Sequence, residues 1–272
     1  MKFKTLLVGC GNMGQAMLRG WLNKGFAPGS IAVVNKSLDR LGGFQDEGVH
    51  CYASSVDIRR GFKPDAIVFA VKPNQIAAIS PEYKKYAKKG SLIISVAAGI
   101  KLAELESSLD QSSAVVRTMP NTPAAIGRGM LVSVANQNVS DEQREICDQL
   151  MAACGETAWI EKEEQMDAVT GLSGSGPAYV FYLIEAMKKA GVANGLPEDL
   201  ALKLAKQTVL GAGELASQSD LCVGTLRENV TSPNGTTAAG LEVLMAEDGL
   251  KPLMERTVRA ATTRSIELSK NS

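Results

Sequence analysis

The sequence predicts an α/β domain followed by an all-α one, and three observations carry that prediction. Short apolar runs alternate with helical periodicity as far as Ile160, the pattern of a parallel sheet with crossover helices. A Gly-x-Gly-x-x-Gly turn lies directly between the first such run and the first helix. After Glu161 no strand-like run appears, although helical periodicity continues. The expected division is therefore a Rossmann-like dinucleotide-binding domain over residues 1–161 and a helical domain over 162–272.

Thr5-Leu-Leu-Val8 is the first strand, buried on both faces. Gly9-Cys-Gly-Asn-Met-Gly14 follows, and Met17, Leu18, Trp21 and Leu22 then mark one side of a helix. In that setting Gly9 allows the tight turn, Gly11 lets a pyrophosphate approach the backbone, and Gly14 allows helix to pack on strand. Asn12 and Met13, in the first helical turn, complete the phosphate seat, where backbone amides and the helix dipole favour an anion. A glycine-rich turn with no ligand is the bland alternative.

The second strand, Ile31-Ala-Val-Val34, ends where a dinucleotide site for NAD carries an acid, ~20 residues past the glycines. Asn35-Lys36-Ser37 stands there instead. Donors and a positive charge suit a 2′-phosphate, so NADPH is the expected cofactor, with NADH the alternative. Asp39 argues the other way unless it opens the next helix. His50, between Val49 and Cys51, belongs to a short strand. Further strands are expected at 65–71, 92–96 and 114–117, then at 130–134 and 157–160, with a helix over Asp141–Ala152. Ligands of open parallel sheets lie beyond the carboxyl ends of strands. The turns Ala70-Val71-Lys72-Pro73, Ala97-Ala98-Gly99 and Met119-Pro120-Asn121 are accordingly expected to line the cofactor. Lys72 is read as a solvated turn residue without a chemical role.

In the second half, helices are expected over 163–171, 175–192, 197–217, 221–230, 236–246 and 249–269. Pro197 suits a first turn, and Gly191 and Gly195 the preceding stop. Tyr179, Val180, Tyr182, Leu183, Ile184 and Met187 make the 175–192 helix apolar around much of its girth, so it should be buried, within the chain or between chains. Ser175 is a candidate cap for it, Pro177 suits its first turn, and Gly174 and Gly176 leave its backbone approachable. The most informative stretch is residues 228–247, which contains Thr231-Ser-Pro-Asn-Gly-Thr-Thr237. Pro233 and Gly235 end one helical pattern, and another begins near Thr236. The amides of Gly235, Thr236 and Thr237 would then face outward as an anion seat beside two hydroxyls. An ordinary turn and cap is again the alternative.

Composition narrows the class. Lys plus Arg equals Asp plus Glu, 29 each, so no global field favours nucleic acid or an anionic membrane. No apolar stretch approaches the ~20 residues of a membrane span. The opening Met1-to-Cys10 segment resembles a lipoprotein processing site, but its apolar part is far shorter than the ~7–15 residues a signal peptide needs, and a cytoplasmic protein is expected. Five cysteines, at 10, 51, 147, 154 and 222, lack a C-x-x-C pair and read as buried free thiols rather than disulfides or metal ligands. With one histidine, a His-pair metal motif or a Ser–His or Cys–His triad is hard to build. The chemistry must proceed with little acid–base machinery.

Gly9-Cys-Gly-Asn-Met-Gly14, Ala70-Val-Lys-Pro73, Arg117-Thr-Met-Pro-Asn-Thr-Pro123, Leu172-Ser-Gly-Ser-Gly-Pro-Ala-Tyr179 and Val230-Thr-Ser-Pro-Asn-Gly-Thr-Thr237 occur in that order. Together they resemble the pyrroline-5-carboxylate reductase family, across essentially the whole chain. Asn234 departs from that family's second glycine, and Asn tolerates left-handed backbone angles. The resemblance implies an oxidoreductase of proline biosynthesis that reduces the cyclic imine 1-pyrroline-5-carboxylate to L-proline with NADPH. It implies that Ser232, Gly235, Thr236 and Thr237 hold the substrate carboxylate. Thr237 would also bond the ring nitrogen, as the catalytic contact. Ser175, Gly176 and Pro177 would flank the nicotinamide, and Asp220 aligns weakly with an acidic position. It further implies intertwined dimers, which associate further in some members. Two rivals remain: a β-hydroxyacid dehydrogenase, for which Lys188 and Lys189 lie late on their helix, and an NADP(H)-binding protein without turnover.

Overall fold

The computed structural model describes residues 3–270, so Met1 and Lys2 of the leader-like opening lie outside it. The strands are β1 (Thr5–Val8), β2 (Ile31–Val34), β3 (His50–Tyr52), β4 (Ala66–Phe69), β5 (Leu92–Ser95), β6 (Val115–Met119), β7 (Gly129–Ala135) and β8 (Gly155–Trp159). They form one sheet in the order β3-β2-β1-β4-β5-β6-β7-β8. Pairing is parallel from β3 through β6, β7 then runs antiparallel to β6, and β8 is parallel to β7. Each expected strand is present, within two residues of its expected bounds. β1, β2, β4 and β5 are buried along their whole length, which is why they read as continuous apolar runs.

Helices α1 (Asn12–Asn23), α2 (Gly42–Asp46), α3 (Ile76–Ile79), α4 (Lys84–Ala87), α5 (Leu102–Ser108) and α6 (Asp141–Ala152) connect them. Successive side chains of a strand point to opposite faces. Leu7 therefore joins Met17, Trp21, Val68 and Leu150 on one face, while Leu6 and Val8 join Phe69, Tyr83 and Leu105 on the other. Trp21 is fully buried, and its indole Nε1 donates to the Leu150 carbonyl at 2.9 Å, tying α1 to α6. The sheet order reverses direction at β1, flanked by β2 and β4, and that reversal opens a crevice at the carboxyl ends.

The expected 163–171 helix is instead a composite. A 3₁₀ turn (Glu163–Gln165) leads into α7 (Met166–Val169) and then a π-helical turn (Thr170–Gly174). Thr170 Oγ1 donates back to the Met166 carbonyl, and the glycines that follow form helix poorly, which favours the widened turn. Then come α8 (Gly176–Ala193), α9 (Glu198–Gln218), α10 (Val223–Asn229), α11 (Thr236–Leu244) and α12 (Leu250–Lys270).

By internal contacts the chain forms two compact units. One holds the sheet up to Gly174 together with the last helix from Ala261; the other is Ser175–Ala260. In the first, Ser265 Oγ donates to Asp167 Oδ1 at 2.6 Å, anchoring the end of α12. In the second, α8 and α9 form an antiparallel hairpin. Gly195, at φ 91°, makes the turn that the sequence assigned to it. Gly191 is not a stop: it lies inside α8, where a Cβ would come 3.1 Å from that of the buried Ala201. Pro197 precedes α9 as its N-cap.

Of the two covers expected for α8, burial within the chain is not found, and the expectation for the cysteines needs correction. α8 has no buried residue, and Phe181 and Tyr182 are 58% and 69% exposed. Its apolar girth is therefore only partly covered inside the chain, where Tyr179, Ile184 and Met187 are half-buried. Of the cysteines, 10, 147 and 154 are buried, but Cys51 is only half-buried and Cys222 is exposed.

Candidate functional site

The site is built around the turn that leaves β1. Gly9 N donates to the Val34 carbonyl at 2.8 Å and holds φ 90°. A Cβ there would lie 2.7 Å from the Ala70 carbonyl oxygen. Gly14, in α1, packs so closely on the Gly9 carbonyl that a Cβ would collide with it. Gly11 differs, because a Cβ there would meet nothing within 4 Å. Protein packing does not demand glycine at 11, whereas close approach of a phosphate to the helix N-terminus, as expected from the sequence, would. Asn12 and Met13 open α1 at that point.

Asn35 braces this turn. Its Oδ1 accepts from Cys10 N at 3.0 Å and its Nδ2 donates to the Ser37 carbonyl at 2.7 Å. The side-chain amide read from the sequence as one of the donors suited to a 2′-phosphate is thus largely committed to the protein, and Lys36 and Ser37 are left as exposed polar groups. A cleft of about 390 Å³ lies here, bounded by Gly9, Asn35, Lys36, Ser37, Arg40 and Val71 among others. Arg40 was missed in the sequence. It sits on the 3₁₀ turn Leu38–Leu41, is exposed, and forms no ion pair among the described residues. A second cation so soon after Lys36 was the signal available. Asp39 opens the same turn, as the alternative reading had it, and does not line the cleft. Burial, reinforced by Cys51, pushes the Cys10 thiol up to about 11, with Arg40 opposing.

The other expected turns leave β4, β5 and β6 on the same edge of the sheet as Gly9, since these strands are parallel. Ala70 and Val71 touch the glycine turn. Lys72 is exposed and caps a short turn that begins at Pro73. Ala97 is buried, Ala98 is exposed and Gly99 takes φ 81°. Met119 is half-buried beside Gly174, and Pro120 is buried. Asn121 bridges, its Nδ2 donating to the Ser173 carbonyl at 3.1 Å while its Oδ1 accepts from Met130 N at 2.9 Å. Residues 97–99 and 119–121 stand on that edge but do not line the cleft. Arg117, given no role in the sequence, is buried in β6. It pairs with Glu163 at 2.9 Å, and Glu163 also accepts from Leu102 N. An arginine inside an apolar strand was its signal.

In the helical unit, Ser175 is not a cap. The π turn runs straight into α8, so Ser175 already has helical angles and its hydroxyl caps nothing. Gly176 and Pro177 form the first turn. At the other hydroxyl-rich start, Asn234 takes φ 59°, as its departure from glycine allows. Gly235 N donates to the Ser232 carbonyl at 3.0 Å, closing the turn. The anion seat expected from the sequence would therefore move on by one residue. The amides without an intrahelical acceptor belong to Thr236, Thr237 and Ala238 at the start of α11. Ser232, Thr236 and Thr237 are exposed, as is Asp220. Lys188 is paired with Glu198 at 2.5 Å, which leaves it poorly placed as a dehydrogenase lysine.

Residues 163–268 match the family model described as pyrroline-5-carboxylate reductase dimerisation, and residues 4–99 match one described as NADP oxidoreductase coenzyme F420-dependent. A pyrroline-5-carboxylate reductase of Arabidopsis thaliana is 40% identical over 271 residues, covering 99% of this chain and 96% of the relative. The solved pyrroline-5-carboxylate reductase of Coxiella burnetii superposes with TM-score 0.93 at 36% identity, covering 98% of this chain and 99% of that one. A pyrroline carboxylate reductase of Plasmodium falciparum, solved with NADP bound, superposes with TM-score 0.82 at 31% identity, covering 98% of each chain.

Proposed function

The chain belongs to the pyrroline-5-carboxylate reductase family, and on that premise we propose how its own residues carry the reduction of 1-pyrroline-5-carboxylate to L-proline. A bound reduced nicotinamide cofactor supplies the hydride. The residues of this chain have only to position, because a protonated cyclic imine is already a strong electrophile. Good positioning is worth on the order of ~7–11 kcal/mol in ideal cases.

In this reading residues 1–161 hold the cofactor and 162–272 hold the substrate, a division supported by the family match beginning at 163. The amides of Thr236, Thr237 and Ala238 receive the substrate carboxylate, with Ser232 and Gly235 shaping the turn. The Thr237 hydroxyl is the donor that meets the ring nitrogen. Ser175, Gly176 and Pro177 flank the nicotinamide, together with Met119, Pro120 and residues 97–99. Gly9, Gly11, Asn12, Met13 and Gly14 seat the pyrophosphate, and Val71 walls the cleft, with Ala70, Lys72 and Pro73 on the same turn beside it. NADPH is the preferred cofactor, and one observation carries that preference: Lys36 and Arg40, two cations without ion-pair partners among the described residues, bound the cleft where a carboxylate would stand for NAD. The helical domains associate as an intertwined dimer, supported by the uncovered apolar surface of α8. The protein works in the cytoplasm; among the described residues no helix is long and apolar enough to cross a membrane.

The test follows absorbance of the reduced nicotinamide with pyrroline-5-carboxylate as oxidant. Consumption with a higher kcat/KM for NADPH than for NADH is expected. Higher kcat/KM with NADH would overturn the cofactor preference. Tight cofactor binding with no consumption, or consumption only with hydroxyacid-type substrates, would overturn the assignment itself.

A further inference from the structure

A second cleft lies away from the glycine turn, at the amino ends of β4 and β5. It measures about 560 Å³ and is bounded by the loop that enters β4 and the turn that enters β5. That volume is of small-molecule size, within the ~300–1,000 Å³ typical of ligand pockets. Its walls carry five cations, Arg59, Arg60, Lys63, Lys85 and Lys89, against a single carboxylate, Asp65. Asp65 is already engaged, accepting from Lys4 N at 2.6 Å. None of the five cations forms an ion pair among the described residues. The chain as a whole has equal numbers of acidic and basic residues, so this concentration of one sign is local.

Two of the cations are held in place by aromatic rings. The Arg59 guanidinium lies 5.8 Å from the Phe62 ring centroid, and Lys85 Nζ lies 4.9 Å from that of Tyr86. Such contacts restrain the charged heads beside the cleft without neutralising them. Five like charges around one concavity repel each other, and a concave wall of one sign concentrates counter-ions. An anion with several charges relieves that repulsion better than a monovalent one.

We propose that this cleft is a binding site for a small polyphosphate-bearing anion, separate from the cofactor cleft. The cations come from two separate segments, 59–63 and 85–89, that line the one cleft, so a ligand with at least two linked phosphates can meet both.

Inorganic tripolyphosphate is the probe, titrated calorimetrically into the full-length protein with NADPH saturating so that the cofactor cleft is filled. Saturable binding of one tripolyphosphate per chain is expected, much tighter than orthophosphate and weakened by added salt. The triple variant Arg60→Ala, Lys63→Ala, Lys89→Ala should weaken it at least roughly tenfold while leaving turnover with NADPH unchanged. The milder single variant Arg60→Gln should weaken it in the same direction, should the triple variant misfold. Removing three cations elsewhere, at Lys24, Lys162 and Lys203, should leave it intact. Absence of saturable binding, equal affinity for orthophosphate, or equal weakening by the remote triple variant would each overturn the proposal.

Discussion

The two units of this molecule handle their apolar residues in opposite ways. In the sheet unit, Leu6, Leu7, Ile67, Phe69, Ile93 and Trp21 are essentially inaccessible to water. In the unit of 175–260 only Ala201 and Ala205 are buried, while Phe181, Tyr182, Leu210, Val223 and Val243 are more than half exposed. The first unit has a core of its own. The second has helices whose apolar faces the chain does not cover, and exposed apolar area on that scale marks an association surface. The match to a dimerisation model over the same residues agrees with this, and the protein self-associates through its helical region. Self-containment fits the half proposed to grip a coenzyme, and incompleteness fits the half through which the protein self-associates.

The sharpest way to break this contrast is a charge on α8. Phe181→Asp should leave the sheet unit folded yet reduce the particle to a single chain by light scattering, with activity falling below a hundredth. A dimer of full activity would mean that the exposed face is incidental. Next in size, Thr237→Ala should lower kcat by about 10²-fold, the scale for loss of one well-placed donor, with NADPH affinity kept. Unaltered kcat and KM would remove Thr237 from the chemistry. In the sheet unit, Trp21→Ala should cost about 3–5 kcal/mol in denaturant unfolding, since a fully buried ring and its hydrogen bond both go. A loss under 1 kcal/mol would show that the core there is looser than described. Arg40→Ala should raise KM for NADPH about tenfold and leave KM for NADH alone; a parallel rise in both would make Arg40 structural.

The smallest effect is one of pH, and it separates the units again. Burial holds the thiols of Cys147 and Cys154 up to about 12, and that of Cys10 up to about 11, against an ordinary 9.0. Unfolded, these groups lose protons from about pH 9 while the native chain keeps them. Stability is therefore full below pH 9 and falls as pH climbs toward 11, by ~1.4 kcal/mol per pH unit for each thiol. Exposed Cys222, lowered by hydrogen bonds from Thr225, adds nothing to that fall. Chemical unfolding at pH 8 and 10 checks it, and a Cys147→Ala variant should show a shallower slope.

Much of this was legible in the residues. Doubly buried strands are unbroken apolar runs, so β1, β2, β4 and β5 could be read from four residues each. Helix ends in the second half were marked by Gly195 and Pro197, and α6 was bounded without error. What escaped depends on contacts distant in sequence. Nothing local says that β7 runs against β6, or that Arg117 pairs with Glu163 across 46 positions. Asn121 looked like a cofactor-facing turn residue, and its bonds to residues 130 and 173 appear only once the chain has folded. The cap expected at Ser175 failed because a π turn, which periodicity cannot distinguish from an α turn, feeds directly into α8. Exposure of α8 was half legible: its girth required a cover, but not which chain provides it.

Asn35 has a practical consequence. One side chain ties the loop after β1 to the loop after β2, so the seats proposed for the pyrophosphate and for the adenosine ribose are mechanically a single part. Retuning coenzyme choice by exchanging Asn35 for an acid would loosen both seats at once. Lys36 and Arg40, which carry charge without holding the loops, are where such redesign should begin.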